Sequence, residues 1–220
     1  MTPDYQDKGI NFYCCDCIEL LKEKPDNYYN LAIVDPPYTD TFRTGNWVKV
    51  CANQKKYKDV INILKGKKPD EKYFVDLFRI SKNQIIWGGN YFTLPVNRCW
   101  LCWYKSKSDN YFSDFELAWT SFDKVSKMFD FLWSGMLQGN MKNKEYKIHP
   151  TQKPVALYRW LLKNYAKPGD RIFDSHGGSM SSAIACALDG FEMDICEIDR
   201  EYFDMAVKRF KESTCQMKLF

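Results

Sequence analysis

The chain has 220 residues, enough for one sizeable domain that buries roughly 70% of its unfolded surface and needs no staples. A formal net charge of only +4 argues against a wholly basic nucleic-acid coat, and no run of about 18 apolar residues is present to span a bilayer. The N-terminal MTPDYQDKGI is too polar for a secretory signal, and nine cysteines without framework spacing read as apolar residues in a reducing compartment. A soluble cytoplasmic protein with no membrane partner is therefore expected.

Residues 10–15, INFYCC, predict a short strand, and 30–34, NLAIV, a strand covered on both faces. The second runs directly into Asp35-Pro36-Pro37-Tyr38. Two prolines remove the donors that further ladder pairing needs, so pairing stops at the carboxyl end of a buried strand. Open α/β sheets hold their ligands at that end. From Thr41 to Lys68, eight basic residues accompany one acid, Asp59, and this basic loop (about 39–68) fits either a solvated loop or one that contacts phosphates.

EKYFVDLFRI (71–80) has helical apolar spacing and leads into a strand at QIIW (84–87), stopped by Gly88 and Gly89. RCWLCW and FELAW predict two more strands. Residues 121–148 are polar and aromatic by turns and form the candidate recognition insertion. A helix is expected over 154–165. The last fifty residues read as a βαβ unit: strand RIFD (171–174), a glycine turn, a helix over 181–188, strand FEMDIC (191–196) and a final helix from Glu201. The whole is a single α/β domain over 1–220 with a mainly parallel sheet flanked by helices.

Two segments carry chemistry. The turn DSHGGSMSS joins a strand to a helix through two adjacent glycines, which lets a ligand approach the backbone closely. Glu197 lies 23 residues after Asp174, near the spacing of about 20 at which an acid on the next strand accepts from ribose hydroxyls. The pattern fits a nucleoside-bearing cofactor without choosing one, and the full GxGxxG fingerprint is absent. Asp35-Pro36-Pro37-Tyr38 suits an aromatic amine. An ionised aspartate offers only acceptors, Pro36 offers a carbonyl without an N–H, and Tyr38 offers a stacking face. The same four residues can also serve merely as a strand-ending turn.

Other features point less far. Cys99 and Cys102 are i, i+3 on an expected strand and point to opposite faces, and only His149 and His176 are available as histidine ligands; no metal is expected. Asn90 and Tyr91 are candidates for lining a base pocket. A nicotinamide-binding oxidoreductase would account for the C-terminal βαβ unit but leaves Asp35–Tyr38 without a task. A nucleic-acid-binding module that has lost its chemistry is a further alternative.

In its ordered motifs the chain resembles the permuted β class of DNA amino-methyltransferases that use S-adenosylmethionine, and within it the small adenine methylases often carried by phages. The matching segments are CDCIELL, DPPY, WGGNYF, FELAWTSF, HPTQKP, FDSHGGSMSS and CEID. The resemblance implies a Rossmann-like methyltransferase fold in which strand 171–174 lies beside strand 30–34. It implies catalytic roles for Asp35, Pro36, Pro37 and Tyr38. Cofactor contacts are implied for Asp16, Thr151, Lys153, Asp174, His176, Gly177, Gly178, Ser179 and Glu197, with Thr151 and Lys153 near the methionine end of the cofactor. Double-stranded DNA is the implied substrate, adenine N6 the implied target with cytosine N4 as the alternative, and a homodimer the common assembly. One departure stands out: Met180 occupies a position where the family commonly has glycine. If that position needs positive φ, methionine costs roughly 1–2 kcal/mol there, and weaker cofactor binding is expected.

Overall fold

In a computed structural model, which describes residues 1–38, 68–105, 113–134 and 137–215, the chain builds one large sheet. Its centre is set by short strands whose residues are all buried. These are β3 (Leu31–Val34) and β4 (Gln84–Trp87), with β10 (Arg171–Asp174) nearly as well covered. Such runs need cover on both faces, and helices supply it. The other strands are β1 (Tyr5–Asp7), β2 (Ile10–Tyr13), β5 (Trp100–Tyr104), β6 (Phe115–Thr120), β7 (Lys127–Asp130) and β11 (Glu192–Cys196). Their order in the sheet is β1-β2-β11-β10-β3-β4-β6-β5-β7. The stretch from β2 to β4 is parallel throughout, while β1 and β6 run antiparallel to their neighbours.

Helices α1 (Cys17–Glu23) and α2 (Glu71–Ile80) cover one face. There Leu20, Leu21, Tyr73, Phe74, Leu77 and Ile80 pack on Ala32, Val34, Ile86 and Phe173. The start of α2 is fixed by Asp70, whose side chain accepts from the Tyr73 N–H at 3.1 Å. Helices α3 (Val155–Tyr165), α4 (Ser181–Asp189) and α5 (Arg200–Cys215) cover the other face, against Ile10, Leu31, Ile33, Ile172 and Ile195. The α/β architecture and the neighbouring of strand 171–174 with strand 30–34 agree with expectation.

Several expectations change in detail. The stretch 121–148 contains β7, which pairs with β5 in the main sheet, and a small hairpin of β8 (Trp133–Ser134) and β9 (Leu137–Gln138). The strand expected over 10–15 ends at Tyr13, because Asp16 starts α1 as its N-cap, accepting from the Ile18 N–H at 2.9 Å. Cys99 lies just ahead of β5 and is fully buried. Of the basic loop, residues 39–67 lie outside the described residues. Among the described residues, no helix is long and apolar enough to cross a membrane.

Candidate active site

β10 and β3 are parallel neighbours, with Ile172 opposite Leu31 and Phe173 opposite Ala32. From β10 the chain continues to β11 on one side; from β3 the sheet continues to β4 on the other. The connections diverge at this pair, so a crevice opens at the carboxyl ends of the two strands. The glycine turn after Asp174 and the Asp35–Tyr38 segment form its two lips.

Asp35 is bound at its Oδ2 by the Lys153 ammonium at 2.5 Å, while its Oδ1 is buried and, among the described residues, has no hydrogen-bond partner. Lys153 also reaches Glu116 Oε2 at 3.1 Å, and Lys105 donates to Glu116 Oε1 at 2.8 Å. Burial pushes the Asp35 carboxyl up, and the Lys153 charge acts the other way. Burial alone would pull Lys153 down, yet the Asp35 and Glu116 carboxylates hold it well above the usual lysine range. Glu116 is also desolvated, but Lys153 and Lys105 together bring it to about 2. Glu116 and Lys153 are therefore charged at neutral pH, and a buried acceptor left open beside them is a costly arrangement that a donor group would relieve.

Tyr38 stands next to this acceptor. Gly88, at φ +66°, makes room for it: a Cβ there would lie 2.4 Å from the Tyr38 ring. The ring of Tyr91, from the short turn Gly89–Tyr91, stacks on Tyr38 at 4.7 Å between centroids. That turn is tied down by Lys68, which donates to the Tyr91 carbonyl at 2.7 Å.

On the opposite lip, Asp174 accepts from the His176 N–H at 3.0 Å and from Ser182 Oγ at 2.7 Å. Burial raises its pKa to about 7 despite both bonds. A Cβ at Gly177 would press within 3.0 Å of the Cys196 carbonyl, and Gly178 has φ +50°, so the turn needs both glycines. Glu197 follows β11; its Oε2 accepts from the Gly178 N–H at 2.7 Å and its Oε1 from the Asp199 N–H at 3.0 Å. The Glu197 N–H donates to the Tyr13 carbonyl, which brings Glu197 to the rim where Asp16 caps α1.

His176 Nδ1 is hydrogen-bonded to Ser175 Oγ at 2.7 Å, and that oxygen lies 2.6 Å from the Tyr73 hydroxyl. Burial lowers the pKa of His176 to about 4, so the ring is neutral. Ser179 is buried, its hydroxyl 3.1 Å from Ser181 Oγ and its carbonyl accepting from Arg209 at 2.7 Å. Arg209 also bonds Glu145 at 2.7 Å, linking the turn to the segment after the β8–β9 hairpin. Thr151 is exposed and bonds His149 Nδ1, whose ring rests over Gly178.

Met180 has φ 54°, so the condition attached to it holds. Its side chain is fully buried in the core, however, which offsets the backbone strain. Lys153, expected near the methionine end of the cofactor, has its ammonium on Asp35 and Glu116. Glu116, Lys105 and His149 were not singled out for the site from sequence. A glutamate inside the otherwise apolar FELAW run was the one local signal for the first of them.

A family model described as DNA methylase matches residues 43–208, well over half of the chain; Asp35–Tyr38 lies just ahead of that span. The DNA adenine methyltransferase YhdJ of Escherichia coli (strain K12) is 35% identical over 65 residues, which cover 30% of this chain and 22% of that protein's length. Among solved structures, the M1.HpyAVI–SAM complex aligns with TM-score 0.53 at 20% identity, covering 91% of this chain and 99% of that one. The cytosine-N4-specific PvuII DNA methyltransferase aligns with TM-score 0.63 at 15% identity, covering 95% and 89%.

Proposed function

This chain belongs to the DNA methylase family, and from that premise we propose that it methylates the exocyclic N6 amine of adenine in double-stranded DNA, using S-adenosylmethionine. The observation that carries the reading is Asp35 Oδ1, a buried acceptor with no partner among the described residues, next to a stacking tyrosine. An aromatic amino group has two hydrogens to offer. Asp35 Oδ1 accepts one and the Pro36 carbonyl the other. Positive charge that develops on the nitrogen during transfer then meets fixed acceptors in a dry site. Tyr38 holds the ring.

The residues on the other lip fit the cofactor. The Gly177–Gly178 turn presents backbone without side chains, so a ligand can approach it closely, and Glu197 keeps lone pairs beyond those used by the loop N–H groups for ribose hydroxyls. Asp16, Thr151, Asp174, His176 and Ser179 surround or brace that turn. When bound, S-adenosylmethionine supplies an electrophilic methyl group on a sulfonium. The M1.HpyAVI structure, named as a complex with SAM, supports this choice. The target lies inside a duplex, so it is flipped out at a cost of a few kcal/mol, offset by stacking on Tyr38 and by phosphate contacts.

Cytosine N4 is the second reading, favoured by the likeness to the PvuII enzyme, since its amine presents the same pair of hydrogens. An aspartate at position 35 supports adenine, because relatives acting on cytosine N4 more often carry serine there. YhdJ, named an adenine methyltransferase, points the same way. Incubation of labelled S-adenosylmethionine with duplex DNA, followed by nucleoside mass spectrometry, tests both. N6-methyladenine is the expected product; N4-methylcytosine alone would replace the base assignment, and label confined to RNA or protein would replace the substrate.

A further inference from the structure

Asp35, Lys153, Glu116 and Lys105 form one line of alternating charge, with contacts of 2.5, 3.1 and 2.8 Å. The line joins the end of β3 to the residue ahead of α3's cap, then to β6 and the end of β5. Lys153 is 4% exposed, with its ammonium 5.4 Å from the centroid of the Trp87 ring. We propose that Lys153, seated by Glu116, is a positioning residue: it occupies one oxygen of Asp35 and leaves Oδ1 as the one carboxylate oxygen that accepts from the target amine. The inference rests on the reading of Asp35 as the group that grips that amine.

Geometry supplies the first half of the argument. A carboxylate with both oxygens free turns about its terminal torsion, which is broad for aspartate, and presents several lone pairs in a fan. With Oδ2 held by Lys153, the carboxylate plane is fixed and Oδ1 points one way. Glu116 Oε2 gives the ammonium a second anchor, so the lysine cannot swing off Asp35. Lys105 balances Glu116, and the four charges sum to zero, which lowers the cost of enclosing them.

Ionisation supplies the second half. A lone carboxylate at this depth would take up a proton and turn from acceptor to donor, facing the amine with an O–H. The groups that bear on Asp35 are Lys153, Glu116, Tyr38, Tyr158 of α3 and Asp174 of β10. Burial raises both tyrosines, so they stay neutral; Glu116 and Asp174 favour the protonated acid. Among the described residues, Lys153 is the cation that opposes them.

The competing role for Lys153 is a bond to the carboxylate of the cofactor, as the sequence resemblance implies. Two measurements on the full chain separate the roles: titration calorimetry with S-adenosylhomocysteine, and the pH profile of kcat on duplex DNA with the methylated base read by mass spectrometry. In Lys153→Met, S-adenosylhomocysteine affinity is expected to stay at the wild-type value. At pH 7 its kcat falls roughly 100-fold, the scale of a misplaced reacting group. Its acid limb moves up by about one to three pH units, the size of a lost opposite charge at this range. Lys153→Arg keeps the limb near wild type. Glu116→Gln lowers kcat to a smaller degree, again with unchanged S-adenosylhomocysteine affinity.

A loss of about tenfold or more in S-adenosylhomocysteine affinity in Lys153→Met, with the acid limb in place, would assign the lysine to the cofactor and overturn the proposal. Should circular dichroism show that Lys153→Met does not fold, Glu116→Gln decides: wild-type kcat in that variant also overturns it. A wild-type enzyme that methylates no base overturns the proposed function instead. Wild-type methylation with an unshifted limb in Lys153→Met overturns only the role of the lysine.

Discussion

Tyr91 lies face to face on Tyr38, their planes 3° from parallel and their centroids 4.7 Å apart. No base fits between rings at that spacing, so a base that stacks on this face of Tyr38 must displace Tyr91, which is half exposed on a short turn. The tyrosine is a competitor for the face. Tyr91→Ala is expected to lower the KM for DNA by roughly 2- to 10-fold, the exchange value of one aromatic stack of about 0.5–1.5 kcal/mol. In Tyr38→Ala the KM rises and kcat falls, because base stacking worth about 1–3 kcal/mol is lost. Steady-state kinetics on a duplex substrate read both, and a KM that rises in Tyr91→Ala would make Tyr91 a wall of the pocket instead.

Gly88 leaves no alternative residue beside Tyr38. A methyl group there would lie 2.4 Å from the ring, and φ +66° adds about 1–2 kcal/mol of backbone strain for any L side chain. Gly88→Ala is expected to shift Tyr38 and reduce kcat at least tenfold, while thermal unfolding still shows one transition a few degrees lower. Unaltered kcat would mean that the position of Tyr38 does not matter.

Met180 combines the left-handed strain expected from its sequence position with a fully buried side chain. Replacing it with glycine relieves about 1–2 kcal/mol of left-handed strain but empties a fully buried site, at a cost of about 2–5 kcal/mol. Burial therefore outweighs strain. Met180→Gly should lower Tm by roughly 3–10 °C at about 2–4 °C per kcal/mol, as read by calorimetry. A higher Tm would show that strain dominates.

Asp174 and His176 give opposite pH slopes. The Asp174 carboxyl, raised to about 7, binds a proton in the folded chain that the unfolded chain has lost, so its contribution to stability is complete below about 4 and disappears as pH rises through 7. His176, lowered to about 4, is neutral where the unfolded ring is protonated; its contribution is present above about 6.5 and is lost as pH falls through 4. Comparing Tm between pH 4.5 and 7.5, Asp174→Asn should make the profile rise more steeply with pH and His176→Gln should flatten it. Parallel profiles for wild type and both variants would contradict these environments.

Local pattern was enough for much of the fold. The 71–80 helix and the 84–87 and 171–174 strands were legible because each is a short run with a clear apolar pattern, halted at Gly88 and Gly89 in one case and at the glycine turn after Asp174 in another. β7 was not: KMFD is largely exposed and joins the sheet only through its parallel pairing with β5. β1 was equally hidden, since Tyr5–Asp7 is polar and gains its pairing from the turn at Lys8 and Gly9. In the site, the segments Asp35–Tyr38 and Asp174–Ser179 announced themselves by residue type. The Lys153–Asp35 bond spans 118 positions and Lys153–Glu116 joins two further elements, and nothing local in either neighbourhood encodes such pairings.

The neighbouring of β10 and β3 also bears on how the chain matures. The Arg171 N–H donates to the Asn30 side chain across 141 positions, at the head of the pair that forms the crevice. Contacts so distant in sequence close late, because the loop entropy must be lost before they form. On a ribosome the strand bearing Asp35 therefore waits, emerged and unpaired on one side, until the βαβ unit arrives. A nascent or truncated chain lacking that unit holds half a crevice, and methylation competence should switch on in one step when the last strands dock.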